Sequence, residues 1–338
     1  MNNQERVSNL RAFGYTDREA AFLVQAALHS GYFLRRQYCS AIGRKLGKTI
    51  DNFVSRLRHE KHAKEIDLRY RRKVFSLCSK VLFEALGEPD NRNRRQHDAQ
   101  TIKARLMGFD YVLGCPQVRW FPTEADKIGF FTDELGIEKE HLPVWRYSSK
   151  DGKKTTLRWF VDRPLVCLDG PEKMVRFCFV DPGFRTGEAF ASFLRNYRPL
   201  FARLTRFEVV YVAGFDGPVE PARRLFERFA SPCGSAPEDP LAGDLLTYFA
   251  DRNEHAITGL AGFNQGRLDR YREARKRFAS SRFEDLFVLW QQRGDEATRA
   301  AISPESRPDL RSRASFSAHV LKFNFGLFGS LYEAGQGE

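Results

Sequence analysis

The chain has 338 residues, 42% hydrophobic and 13% aromatic with 30 Phe, which is enough apolar material for packed cores and excludes a globally disordered chain. No run approaches the ~18 uninterrupted apolar residues of a membrane-spanning helix, and the opening Met-Asn-Asn-Gln-Glu-Arg lacks the apolar segment of a secretory leader, so a cytoplasmic protein without a membrane partner is expected. The formal net charge is +12, and residues 1–107 hold 22 Lys+Arg against 11 Asp+Glu while the remainder holds 33 against 32, a basic module on a neutral body that points to a local polyanion contact.

In chain order, Thr16 followed by Glu19 is a capping box, and it predicts a helix to about Ser30 that buries Phe22, Leu23 and Ala26–Ala27. Gly31 ends it. A second helix, from about Phe33 to Ile42, sets Leu34, Tyr38, Ala41 and Ile42 on one stripe. Gly43-Arg-Lys-Leu-Gly47 is a short turn. The third helix, about Thr49 to Lys61, places Ile50, Phe53, Val54 and Leu57 on a buried face. Its opposite face carries Lys48, Asn52, Ser55, Arg56 and His59, side chains able to bond base edges and phosphates in a major groove. Two strands, Ala63–Leu68 and Val74–Cys78, flank Arg69-Tyr70-Arg71-Arg72-Lys73, and a short helix Ser79–Leu86 follows. Three helices and a hairpin with a basic tip predict a winged helix-turn-helix. The DNA-contacting residues expected from it are Arg44, Lys45, Lys48, Thr49, Asn52, Ser55, Arg56, His59, Arg69, Arg71, Arg72 and Lys73. Such a unit can also serve protein assembly alone, which would leave the basic excess unexplained.

Glu88–His97 is polar and aperiodic and predicts a hinge-like linker, in which Arg92, Arg94 and Arg95 either touch DNA backbone or are simply solvated. Beyond it come a helix over about Ala99–Leu113, a strand at Val118–Phe121 and a helix from Thr123 to about Leu135. Short β-branched and aromatic runs at Thr155–Val161, Pro164–Leu168 and Val175–Val180 read as a strand meander. A helix from Thr186 to about Leu204, a buried strand Phe207–Ala213 and a helix Pro218–Ala230 complete a three-layer α/β domain.

That order of elements resembles the core of the PD-(D/E)xK nucleases, where two acidic residues and a Lys hold Mg²⁺ and activate water. The candidates are Asp162, Asp169 and Asp181, but Gly183 stands where the Lys belongs, and Arg185 cannot act as a base. Each of the three aspartates also lies beside Pro, or Gly then Pro, where Asp is a good turn former. The basic winged helix, Val161-Asp162-Arg-Pro-Leu, Phe179-Val-Asp181 and Tyr197 together resemble the replication-relaxation proteins over roughly residues 10–230. This resemblance implies a role in regulation, replication or mobilisation of plasmids and integrative elements. The missing Lys and Phe193, where a polar residue commonly stands, depart from the pattern.

Residues 234–338 read as helical: Leu241–Asp251, Gln265–Phe278, Phe283–Gln291 and Phe316–Glu333. The second is strongly basic, either extending the DNA contact or facing solvent. The last is too Phe-rich for water and either packs on the middle domain or forms a dimer interface. The six cysteines (Cys39, Cys78, Cys115, Cys167, Cys178, Cys233) form no CxxC pair and read as thiols of a reducing compartment, with no metal site. No GxxxxGK[ST] loop is present and no GxGxxG follows a strand, so no cofactor is expected.

The expected fold is α+β and multidomain: a winged helix-turn-helix over 1–87, a linker over 88–98, a three-layer, nuclease-like α/β domain over 99–233 and a helical region over 234–338. The expected function is that of a non-catalytic regulator or accessory factor of a plasmid or other mobile element, binding double-stranded DNA as a homodimer. The alternative is a Mg²⁺-dependent nuclease targeted by the same winged helix, and Gly183 favours the binding protein.

Overall fold

Reciprocal capping boxes, Asn2 with Glu5 and Thr16 with Glu19, start α1 (Asn3–Arg11) and α2 (Asp17–His29). The computed structural model describes residues 1–68, 72–148, 155–161, 164–170, 174–183, 187–231, 240–259, 262–279, 281–302 and 309–323. The fold is α+β, and it divides into two compact units, Met1–Ala230 with the stretch from Arg311 onward, and Ser231–Leu310.

After α2 the chain makes β1 (Tyr32–Leu34), α3 (Arg35–Ala41) and α4 (Lys48–His59), then β2 (Ala63–Leu68) and β3 (Arg72–Leu77), and α5 (Lys80–Ala85). The strands form an antiparallel sheet in the order β1-β3-β2. Phe33 and Leu34, expected to open a helix, instead lie in β1 opposite Phe75 and Val74. There Phe33 stacks on Phe75 with ring centroids 5.2 Å apart. A buried aromatic side chain on a pleated surface outweighs its local helical spacing.

The 88–98 segment, expected as a hinge, is fixed in place. Asn93 is buried and its side-chain amide donates to the carbonyl oxygens of Ala27 and Leu28, both at 2.8 Å. Its own carbonyl abuts Gly31, where φ is +77° and an added Cβ would fall 2.2 Å from the Asn93 oxygen. Only glycine satisfies both demands. Next, α6 (Ala99–Gly114) joins what were expected to be separate domains. Its Phe109 and Val112 belong to the same buried cluster as Phe22, Phe33 and Phe53. Gln37 of α3 donates to Leu106 O and to Asp110, and Arg36 pairs with Asp110 through both guanidinium nitrogens, at 2.8 and 2.6 Å.

The main sheet has the order β10-β9-β8-β7-β4, built from β4 (Arg119–Trp120), β7 (Leu165–Asp169), β8 (Met174–Asp181), β9 (Phe207–Ala213) and β10 (Ala314–Val320). β4, β7 and β8 are antiparallel neighbours, whereas β8, β9 and β10 run parallel. Strand alternation divides the faces. Cys178, Val210 and Val212 cluster with Ile102, Leu106 and Met107 of α6. Phe177, Phe179 and Tyr211 meet the aromatic side chains of α8 (Gly187–Phe201), and α9 (Val219–Ala230) packs beside α8. Before the sheet is completed, α7 (Glu124–Gly129) and a single π turn over Phe130–Glu134 cover Phe121.

Two expectations are corrected here. The run at 155–161 does not join the main sheet: β6 (Thr155–Trp159) pairs with β5 (Val144–Ser148) in a separate antiparallel ribbon. The stretch beginning at Phe316, expected as a helix, is β10, in register with all of β9. The Phe316 ring lies 5.4 Å from that of Phe226 and 6.4 Å from those of Phe190 and Tyr211. Phe316 is thus half-buried against the middle region, whereas Phe323 is 48% exposed. Residues 324–338 lie outside the described residues.

The second unit contains α10 (Pro240–Thr258), α11 (Gln265–Arg277) and α12 (Ser281–Ile302), broken at Gly294 with φ +75°. They share a core of Leu245, Phe249, Tyr271 and Phe278. No helix among the described residues is long and apolar enough to cross a membrane.

Candidate nucleic-acid interface

The 3.6-residue period of α4 sets the geometry of the site. Ile50, Phe53, Val54 and Leu57 are at most 2% exposed and anchor the helix, with Phe53 stacked on Tyr38 at 4.1 Å. The opposite side therefore faces outward: Lys48, Thr49, Asn52, Ser55 and His59 are all exposed, as are Arg44 and Lys45 in the preceding turn. The side chains of Arg44, Lys45 and Lys48 form no ion pair among the described residues. The single acid on this face, Asp51, is paired with Arg35 of α3, which lowers its repulsion of an approaching anion. His59 is bonded to its neighbour Glu60 at 2.9 Å.

Arg56, expected among these contacts, is committed elsewhere. Its guanidinium donates to Gly14 O at 2.6 Å and to Glu19 at 3.2 and 3.4 Å, and lies 5.5 Å from the centre of the Tyr15 ring. Glu19 is buried and also caps α2 through Thr16. Arg56 thus ties α4 to the start of α2 and is a positioning residue. Beside it, burial pushes the Tyr15 hydroxyl well above its usual range, and Tyr15 bonds His62 at 2.7 Å.

The hairpin carries less open charge than its sequence suggests. Lys73 is paired with Glu65 and lies 3.9 Å from Asp67, and Arg58 of α4 also reaches Glu65, at 3.6 Å. A phosphate that approached Lys73 would compete with the Glu65 carboxylate for it. Arg69 and Arg71 lie outside the described residues, as does the side chain of Arg72.

Of the aspartates that the nuclease alternative would use, the two described, Asp169 and Asp181, do not come together. Asp181, 2% exposed at the end of β8, accepts from the Gly183 amide at 2.8 Å and from the Tyr211 hydroxyl. Gly183 has φ +91°, the left-handed conformation of an Asp-started turn. Asp169 pairs with Arg176 at 2.8 Å, and Arg176 pairs in turn with Glu208. Asp169 stands opposite Met174, seven residues along β8 from Asp181. At ~3.3 Å per residue that separation is about 23 Å, far beyond a shared ion. Asp162 lies outside the described residues. One residue near Asp181 was not foreseen: Lys103 of α6 is half-buried, with its pKa lowered by burial and raised in part by the Asp181 charge. Among the described residues, the group of metal-ligand side chains that converge within 4.8 Å is Glu138, Glu140 and His141, none of them an expected ligand.

Three of the six cations of the basic helix α11 are paired with acids of their own unit. Arg267 pairs with Asp251 and Glu254, Arg277 with Asp244 at 2.9 Å, and Arg272 with Asp269 at 3.5 Å. Compared with family models, with curated proteins and with solved structures, the chain matches none.

Proposed function

We propose that this chain is a DNA-binding protein in which α4 is the recognition helix of a winged helix-turn-helix and β2–β3 is its wing. The observation that carries the reading is the outward face of α4, where Lys48, Thr49, Asn52 and Ser55 are exposed beside Arg44 and Lys45, on a helix locked by its buried face. Cations uncompensated by neighbouring acids give affinity for phosphate, and Asn at such a position is suited to bidentate pairing with adenine. The wing contributes through Lys64 and the basic tip rather than through Lys73. In this reading the protein acts as a regulator or accessory factor of a plasmid or other mobile element, in transcription control, replication or mobilisation. A reducing, cytoplasmic setting accords with the five described cysteines, all free thiols.

The nuclease alternative is disfavoured by the separation of Asp169 from Asp181 and by the hydrogen bonds that already occupy Asp181. The test is discrimination on sites recovered by genome-wide footprinting. Asn52→Ala should lose about 1–3 kcal/mol of preference for target over random duplex. Equal losses on both duplexes would mean that α4 does not read bases.

A further inference from the structure

One acid interrupts the outward face of α4. Asp51 stands about one turn after Lys48 and one turn before Ser55, where its carboxylate repels the phosphates that Arg44, Lys45 and Lys48 attract. Its partner is not Lys48, its neighbour on the helix, but Arg35, the first residue of α3. The Asp51 carboxylate accepts from Nη1 of Arg35. The same guanidinium lies 5.9 Å from the centre of the ring of Phe75, which is fully buried. Among the described residues Arg35 has no other hydrogen bond or ion pair, so its Nε and Nη2 donors are open. The side chains of the pair stay in water, Arg35 being 39% and Asp51 56% exposed. Arg56 differs, because its partner Glu19 is only 7% exposed and the pair ties two helices together. A pair as open as Arg35 with Asp51 adds little to stability. Holding α3 to α4 therefore does not account for a carboxylate placed among these cations.

We infer that Arg35 reads a guanine in the major groove and that Asp51 is its positioning residue; the inference rests on α4 being the recognition helix. Guanine presents two acceptors to that groove, O6 and N7, and a guanidinium meets both with two parallel N–H donors. With Nη1 held by Asp51, Nε and Nη2 form the free edge that such a pairing uses. Fixing one edge of the guanidinium orients the other and removes rotamer freedom that binding would otherwise cost. The Asp51 charge also disfavours a phosphate at Arg35, whereas the edge of a neutral base meets no such repulsion.

The test uses the full chain and a duplex selected by it from a random library. Each guanine of that duplex is replaced singly by 7-deazaguanine, which keeps the base pair and O6 but lacks the N7 acceptor. At one guanine the parent protein should lose about fivefold or more in affinity. Arg35→Ala should bind the selected duplex about tenfold or more weakly than the parent, and the same 7-deazaguanine should then make no further difference. Asp51→Ala should shrink the effect at that guanine while its affinity for random duplex holds or rises, since an anion has left the face. A merely structural role for Asp51 would not part these two readouts, and thermal melts establish that both variants fold. An Arg35→Ala loss that is equal on selected and random duplexes makes Arg35 a phosphate contact and overturns the proposal. So does a parent indifferent to every 7-deazaguanine, or a sensitivity that persists in Arg35→Ala. Those outcomes leave the α4 reading standing, whereas a parent that binds no duplex at all overturns both.

Discussion

Replacing Arg56 by Ala separates two accounts of this side chain. Arg56 reaches Gly14 O at 2.6 Å and Glu19 at 3.2 and 3.4 Å. The Glu19 side chain is only 7% exposed, whereas that of Arg56 is 33% exposed. Removing the guanidinium leaves a buried carboxylate without its counter-charge, a loss of about 1.5–3 kcal/mol for a charge-assisted hydrogen bond. Water can partly replace a group as open as Arg56, so the expected loss for Arg56→Ala is about 1–3 kcal/mol. Glu19→Gln keeps a cap for α2 and removes the charge, so the double variant should be about 1 kcal/mol more stable than the two single losses added together. Urea unfolding followed by circular dichroism gives all four stabilities. On folded protein, duplex affinity and its salt dependence should hardly move. Unaltered stability together with collapsed discrimination between target and random DNA would refute the assignment and return Arg56 to the DNA-reading face.

Burial lowers His29 to about 3, and its Nδ1 is buried without a partner. The unfolded chain therefore takes up a proton near pH 6.5 that the native state refuses, so stability is full above that pH and declines below it. At about 1.4 kcal/mol per pH unit, roughly 2 kcal/mol is lost by pH 5. His62 and His319 are also lowered by burial, so a smaller difference between pH 8 and pH 5 in His29→Gln isolates its share, and an identical difference would contradict it. Gly31→Ala combines a left-handed backbone with a Cβ at 2.2 Å from a carbonyl oxygen and should lose at least about 2 kcal/mol by urea unfolding, whereas a neutral result would mean that the 88–98 segment can move away. Asp181→Ala removes the carboxylate that accepts from the Tyr211 hydroxyl and the Gly183 amide and should lose about 1–3 kcal/mol. Mg²⁺ should leave the melting temperature of the parent protein unchanged, and Mg²⁺ stabilisation that vanishes in Asp181→Ala would revive the metal site.

The two faces of α4 could be read from the chain because periodicity is local: buried and exposed positions alternate within one helix, whatever packs on it. The fate of Arg56 could not, since its partner Glu19 is 37 positions away and no spacing rule links them. The same holds for Lys73, whose carboxylate partner Glu65 lies across a hairpin. β10 was missed because its partner β9 lies about a hundred residues earlier, and a parallel pairing leaves no turn signal between its strands. The polar 88–98 segment looked like a linker by composition, but Asn93 and Gly31 fix it through contacts visible only in three dimensions. Asp181 lies between these cases. The Asp-Pro-Gly sequence already indicated a turn, and the Gly183 amide bond agrees, whereas the approach of Lys103 depends on how α6 lies against the sheet.

The central claim is that duplex DNA meets the exposed face of α4 and the turn before it. Fluorescence anisotropy of a labelled duplex across a salt series, with the parent protein and with Arg44→Ala/Lys45→Ala/Lys48→Ala, tests it most directly. Each phosphate contact contributes about 0.9 to the slope of log K against log salt, so removing three cations should flatten that slope by up to about 2.7 and weaken binding on every sequence. A triple variant that folds and keeps the parent's affinity and slope would contradict the account.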